Sequence, residues 1–246
     1  MHGALNTAKV NSMTDPLDNP VWQALVGPHA RIAIGRGQAR HYPRDMAPFS
    51  AIANDTTEAY ADLASDLPPG IEARLFRPCD EPLRSGWLKV DAFPMLQMVM
   101  AKLPAEAPVG ASPIDLTHDD LASMMELAEI AKPGPFGPRT TELGSFVGVR
   151  SGARLVAMAG ERMRLPGYVE LSAIAVHPDA RGRGLAACLT CALAKRALSR
   201  GEKPFLHVRP ENTAAVSLYR RLGFEVRREL WVLWRKLMTA AGQPTE

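Results

Sequence analysis

The chain has no apolar run near the ~18 to 20 residues that a membrane-spanning helix needs. Its opening, MHGALNTAKVNSM, holds no long apolar stretch of the secretory kind. Both absences point to a cytoplasmic protein with no membrane partner. Cysteine is scarce: Cys79, Cys188 and Cys191 are the three in 246 residues, and an odd count argues against a disulfide framework. Cys188 and Cys191 have C-x-x-C spacing, but no second Cys or His pair accompanies them. They fall in an alanine-rich helical pattern, where packing is the expected role and a metal is not. Net charge is only +3. No aromatic residues interleave with the basic ones as single-strand binding requires, and no reading helix stands out, so nucleic acid is not an expected partner.

What the chain does have is an uneven spread of that charge. Residues 177–236 carry 13 Lys and Arg against 5 Asp and Glu, a net of +8, leaving −5 for the rest. This is either a solvated basic surface or the place where an anionic partner binds. The stretch VHPDARGRGLAACL, residues 176–189, sharpens the choice, since it sets two arginines and two glycines at the mouth of a small-residue helical run. Glycine there is costly in backbone entropy, so some contact must need bare backbone. The unpaired N–H groups and positive dipole end of a first helical turn suit a phosphate.

Along the chain, residues 1–15 are polar and aperiodic and read as a disordered tail, and residues 239–246 read as a tail. DNPVWQALVGPH opens a short helix with Asp18 and Asn19 as cap-like residues and a proline in the first turn. RIAIG, ARHY, FSAIA, IEARLFRP and WLKVDAFPMLQMVM read as strands, with a helix over residues 57–65 among them. This N-terminal unit, residues 16–104, leads into an Ala/Pro-rich linker at 105–114. A second unit, 115–238, starts with a near capping box at Thr117 and Asp120 and a helix whose stripe is Leu121, Met124, Leu127, Ala128 and Ala131, with the Met124–Met125 pair in the core. KPGPFGPRTTEL is irregular, with three prolines and two glycines in seven residues from Pro133. A hairpin turning at Ser151–Gly152, a third strand, the glycine turn, a helix stopping at Gly201, the strand PFLHVRP, a helix from Asn212 to Gly223 and a final strand pair complete the order.

Two blocks in that order carry a resemblance. Arg181, Gly184 and Ala186 fill an Arg/Gln-x-x-Gly-x-Gly/Ala phosphate turn, and Asn212, Ala215, Leu218, Tyr219, Gly223 and Phe224 form a second block downstream. Residues 115–236 thereby resemble the GNAT superfamily of acyl-CoA-dependent N-acetyltransferases, and the N-terminal unit is similar to a degenerate, motif-free half of the same fold. The resemblance implies an α/β (α+β) protein with a mixed, mostly antiparallel sheet whose central parallel strands splay. It implies acetyl-CoA as cosubstrate, no metal, and a small-molecule or peptide amine as acceptor; the amine's identity and the oligomeric state stay open.

On that resemblance, the slot between VELSAIAV and PFLHVRP holds the pantetheine arm. Ile174, Ala175, Val176, Arg181, Gly182, Arg183, Gly184, Leu185, Ala186, Asn212, Ala215 and Tyr219 are the expected cosubstrate-binding residues, although Asn212 could equally be a helix cap and Arg183 merely exposed. Tyr219, a phenol protonated at neutral pH, is the expected general acid for the departing thiolate. An oxyanion donor is expected from backbone near Ala173 to Ala175. Glu170, which shares a strand face with Ser172, is the candidate base, and His207 a weaker one; His177, before Pro178, is expected to be exposed. Phe136 and Arg139 of the irregular loop are the candidate acceptor-binding residues, Arg139 as a fork for a substrate carboxylate or else a surface side chain. A noncatalytic acyl-CoA sensor is the alternative to an enzyme.

Overall fold

The helices differ in how their unpaired first turns are served. The computed structural model describes residues 15–67, 70–104 and 112–238. The two expected tails, except for Asp15, and most of the expected linker lie outside the described residues. Helix α1 (Pro20–Val26) has proline in its first turn, but Asn19 makes no side-chain cap; its amide instead donates to Ile52 O at 2.8 Å. Helix α2 (Thr57–Asp66) is capped by Thr56, whose hydroxyl accepts from Ala59 N. Thr117 and Asp120 form a full capping box on a single 3-10 turn that leads into α3 (Leu121–Ala131). Helices α4 (Leu185–Ser199) and α5 (Thr213–Arg221) follow the glycine turn and Asn212.

Among the described residues ten strands form one sheet. In chain order they are β1 (Ala39–His41), β2 (Phe49–Ile52), β3 (Glu72–Arg77), β4 (Trp87–Met100), β5 (Ile114–Leu116), β6 (Phe146–Ser151), β7 (Arg154–Leu165), β8 (Tyr168–Val176), β9 (Lys203–Val208) and β10 (Phe224–Leu237). Their spatial order is β1-β2-β3-β10-β4-β9-β8-β7-β6-β5. All neighbours are antiparallel except β2 with β3 and β8 with β9, so the mixed, mostly antiparallel expectation holds. The N-terminal residues do not sit beside this sheet: β4 lies within it, between β9 and β10. Pro94 in mid-strand is tolerated because β9 pairs with β4 only over Leu96 to Val99, so no ladder donor is missing on that side.

Three expectations are corrected. The final segment is one strand, not a pair: residues 224–237 contain no turn residue, and β4 and β3 occupy both its edges. RIAIG forms only an isolated bridge between Ile34 and His41, because Gly35 (φ +121°) and Gly37 (φ +50°) turn the chain before a ladder can grow. Met124 is fully buried while Met125 is exposed, as adjacent helical positions about 100° apart must diverge.

The two faces of the sheet are covered differently. Leu189, Cys191 and Leu193 of α4 pack with Met98, Val147, Leu171 and Leu206 on one face. Burial pushes the Cys191 thiol above its ordinary value. On the other face, Leu17, Val21, Tyr42, Met46 and Phe49 of the N-terminal residues pack against Met163, Phe205 and Leu230. The end of the sheet where β8 and β9 meet is therefore enclosed on one side by α4 and on the other by the N-terminal residues.

Candidate active site

The glycine turn is built on backbone that L side chains rarely adopt. After β8 the chain makes a 3-10 turn over Pro178–Ala180, and Gly182 and Gly184 then both take left-handed φ, +75° and +73°. A Cβ at Gly182 would meet nothing within 4 Å, so glycine is required there by conformation and not by crowding. Gly184 occupies the N-cap of α4 and offers no side-chain cap, leaving first-turn N–H groups available to a ligand. A cavity of about 820 Å³ opens at this point. Every residue expected to hold the cosubstrate lines it except Arg183, which is exposed. The cavity size and the bare, basic turn fit a phosphate-bearing cosubstrate.

The wall opposite α5 is backbone. β8 and β9 pair only at Tyr168–Lys203, Val169–Pro204 and Glu170–Phe205, and separate beyond that point. The register of β8 against β7 passes from Ser172–Gly160 to Ala175–Met158, so Ala173 and Ile174 together oppose Ala159. This is a β-bulge, and Ala173 sits in it at φ +50°. A non-glycine residue held in that region costs on the order of 1–3 kcal/mol and marks a position that the surrounding packing over-determines. Ile174, Ala175 and Val176 are consecutive and all line the cavity. Side chains alternate along a strand, so three in a row cannot all point one way, and the cavity meets the strand's main chain.

Tyr219 reaches the same cavity from α5. It is 9% exposed and packs edge-to-face on Phe224. Burial pushes its phenol up to about 12, which keeps the proton on at neutral pH. Asn212 caps α5, its Oδ1 accepting from Ala215 N at 3.2 Å, and it also lines the cavity. Ala131, Leu218 and Arg221 also line it and were not foreseen as site residues. Leu218 lay within the second motif block. Arg221 reads in sequence as one of a basic pair complementing a helix C-terminus, and Ala131 carries no signal of its own.

Glu170 is employed elsewhere. Arg162 donates from Nε and Nη2 to its two oxygens, both at 2.7 Å, and His207 Nδ1 lies 2.8 Å from Oε1. Burial alone would raise this carboxyl; the Arg162 charge and the hydrogen bonds from His207 and Arg162 outweigh it and hold the pKa at about 2. Gln97 accepts at Oε1 from Arg227 and donates from Nε2 to Leu17 O, which orients its amide. Its remaining proton points at His207 Nε2, 3.3 Å away, so the ring donates from Nδ1 to Glu170. Phe76 covers the His207 ring at 4.7 Å and Phe49 the Arg162 guanidinium at 4.6 Å. Glu170 and His207 do not line the cavity. They tie β7, β8, β9 and the N-terminal residues together where the strands begin to part. His177 is buried, not exposed, and its Nδ1 accepts from Asp179 N.

Phe136 and Arg139 are likewise separated. Phe136 stands edge-on to Phe146 and lines a second cavity, of about 410 Å³, with Arg74, Met125, Ala128, Glu129 and Lys132. Arg139 is outside that lining. It donates from Nε and Nη2 to both Glu142 oxygens at 2.7 and 2.9 Å and reaches Asp45 at 3.5 Å, so its fork is already filled. The expected carboxylate anchor is a half-exposed internal ion pair.

The chain is similar to known acetyltransferases. The family model described as FR47-like protein matches residues 146–232, from β6 into β10. A solved structure from Novosphingobium aromaticivorans, described as an acetyltransferase from the GNAT family, is 36% identical, superposes with a TM-score of 0.84, and is matched over 92% of this chain and 100% of its own. A mycothiol acetyltransferase from Pseudarthrobacter chlorophenolicus is 31% identical over 175 residues, which are 68% of this chain and 47% of that protein. The N-alpha-acetyltransferase RimI of Mycobacterium tuberculosis is 40% identical over 100 residues, 38% of this chain and 62% of that protein. The chain thus spans about half the length of the first of the curated relatives it matches.

Proposed function

The chain belongs to the GNAT family of acetyltransferases, and from that premise we propose that it transfers an acetyl group from acetyl-CoA to a primary amine by direct attack. The observation that carries this reading is one cavity shared by the glycine turn, the bulged main chain of β8 and the protonated phenol of Tyr219. The turn and the first N–H groups of α4, with Arg181, would hold the pyrophosphate. The unpaired edge of β8 would hold the pantetheine arm. The neutral amine nitrogen bonds to the thioester carbon and the C–S bond breaks; Tyr219 gives its proton to the departing sulfur, and the proton that the nitrogen loses returns through water to the phenolate. N–H groups at the Ala173 bulge would face the carbonyl oxygen as charge builds on it. The relative that is an N-alpha-acetyltransferase supports an amine as the acceptor.

Thiol release from acetyl-CoA across a panel of primary amines, with the product mass measured, tests the reading. An acetylated amine formed well above the uncatalysed rate supports it. Tight acetyl-CoA binding without release of thiol to any amine would leave a sensor instead of an enzyme.

A further inference from the structure

Arg74 carries a charge that the fold offsets only in part, through the nearby Glu72. Its guanidinium stacks 3.7 Å from the centre of the Trp234 ring, and among the described residues it makes no salt bridge. The nearby Glu72 side chain accepts from Trp234 Nε1 instead. Arg44 stands behind Arg74, held only by backbone: Nη2 donates to Glu72 O at 2.5 Å and Nη1 to Pro48 O at 3.2 Å, while its buried Nε has no partner. Burial and the charge of Arg74 push Arg44 down to about 10, and burial lowers Arg74 as well. Two partly desolvated guanidiniums that share one nearby carboxylate, Glu72, keep a net positive charge, and a bound anion would offset it.

Arg74 faces the second cavity, whose walls include Phe136, Met125 and Ala128, with Lys132 as another cation and Glu129 as the acidic residue in the lining. The last turn of α3 contributes to both cavities: Ala131 lines the first, Ala128 and Lys132 the second. Resting on the acyl-transfer reading, we propose that the second cavity receives the acceptor, and that Arg74, backed by Arg44, binds a carboxylate on it. The substrate class is then a small amine bearing a carboxylate and an apolar or aromatic body: the guanidinium fork takes the carboxylate, and the Phe136 and Met125 walls take the body. Arg74 is contributed by the N-terminal residues, which gives them a part in acceptor choice.

The test compares amino acids with their decarboxylated amines, L-phenylalanine against phenethylamine and L-leucine against isoamylamine, using the full chain with CoA present. Binding is read by calorimetry and, where turnover occurs, by KM. The expected result is a preference for the carboxylate form of about 10- to 100-fold, the worth of a charge-assisted hydrogen-bonded pair. Arg74→Gln should abolish it, Arg74→Lys should restore part of it, and Arg139→Ala should leave it intact. All three variants should keep the melting-temperature shift given by acetyl-CoA, which verifies folding and the other cavity. Equal binding of acid and amine, or no binding of either, overturns the proposal, as does tight binding of inorganic phosphate with none of carboxylates. Arg74-dependent carboxylate binding with no thiol release for any amine would support the anion site while refuting the acyl-transfer reading.

Discussion

Gly182→Ala separates a turn that is merely tight from one that must leave room for a ligand. The backbone at 182 has φ +75°, and an added Cβ there would meet nothing within 4 Å. The folded-state cost is therefore the left-handed strain alone, about 1–2 kcal/mol. For a chain of this size each kcal/mol lowers Tm by about 2–4 °C, so the variant should melt about 2–8 °C lower without ligand. Acetyl-CoA at 100 times its Kd stabilises the parent by about 2.7 kcal/mol, a rise of about 5–11 °C. If pyrophosphate seats against this turn, the methyl group projects into the volume it needs. A 100-fold loss of affinity would leave only about 0.4 kcal/mol of that stabilisation at the same concentration. Paired melting curves, with and without acetyl-CoA, read both numbers. A variant with lowered Tm but an unchanged acetyl-CoA shift would refute the placement of the pyrophosphate.

Tyr219→Phe keeps the ring packing on Phe224 and removes only the hydroxyl. Steady-state kinetics should show kcat reduced by about 10- to 1000-fold with acetyl-CoA affinity nearly unchanged; equal turnover would remove Tyr219 from the mechanism. The buried Glu170 carboxyl, held at about 2 in the folded chain, should contribute stability that is fully present above its unfolded value and is lost as pH falls from about 4.5 toward 2. Glu170→Gln should flatten denaturant-measured stability across that window while lowering it at neutral pH by about 3–5 kcal/mol, because Arg162 is left buried without its partner. An unchanged pH slope would contradict the ion-pair assignment.

Legibility in the sequence followed how locally each feature is determined. Gly182, Gly184 and Asn212 act through their own backbone or the next helical turn, so their placement at the cavity could be argued from spacing. The hairpin, whose turn is Gly152–Ala153, one residue beyond the expected Ser151–Gly152, and the Thr117–Asp120 capping box are equally local. The surroundings of Glu170 are less legible for the opposite reason. Its strand position was foreseeable, but its environment is set by Arg162, eight residues earlier on a different strand, and by His207 and Phe76 from distant segments. Arg139 pairs with Glu142 at i+3, a relation that lies in the sequence spacing itself. Arg74 had no signal at all, since an arginine in a short alternating strand is ordinarily a solvent-facing residue, and only the tertiary fold sets it beside Arg44 and α3.

The position of β4 bears on whether the motif-bearing residues can act alone. The sequence divides naturally at 104, yet β4 pairs with β10 along nearly its whole length and with β9 over Leu96 to Val99. Met98 and Met100 from this strand lie buried in the same core as Leu206, Tyr219 and Phe224. Deleting the strand would uncover the edges of both β9 and β10 and expose those methionines' partners, at about 1.5–3 kcal/mol for each buried side chain, on top of the unpaired backbone. That loss is comparable with the whole stability of an ordinary domain, about 5–15 kcal/mol. Residues 112–238 expressed alone should therefore fail to unfold cooperatively and should show no Tm shift with acetyl-CoA, and co-expression with residues 1–104 should restore both. Folding of 112–238 alone, with acetyl-CoA binding intact, would mean that β10 finds another partner for its edge and that the N-terminal residues are an addition to the site instead of part of its frame.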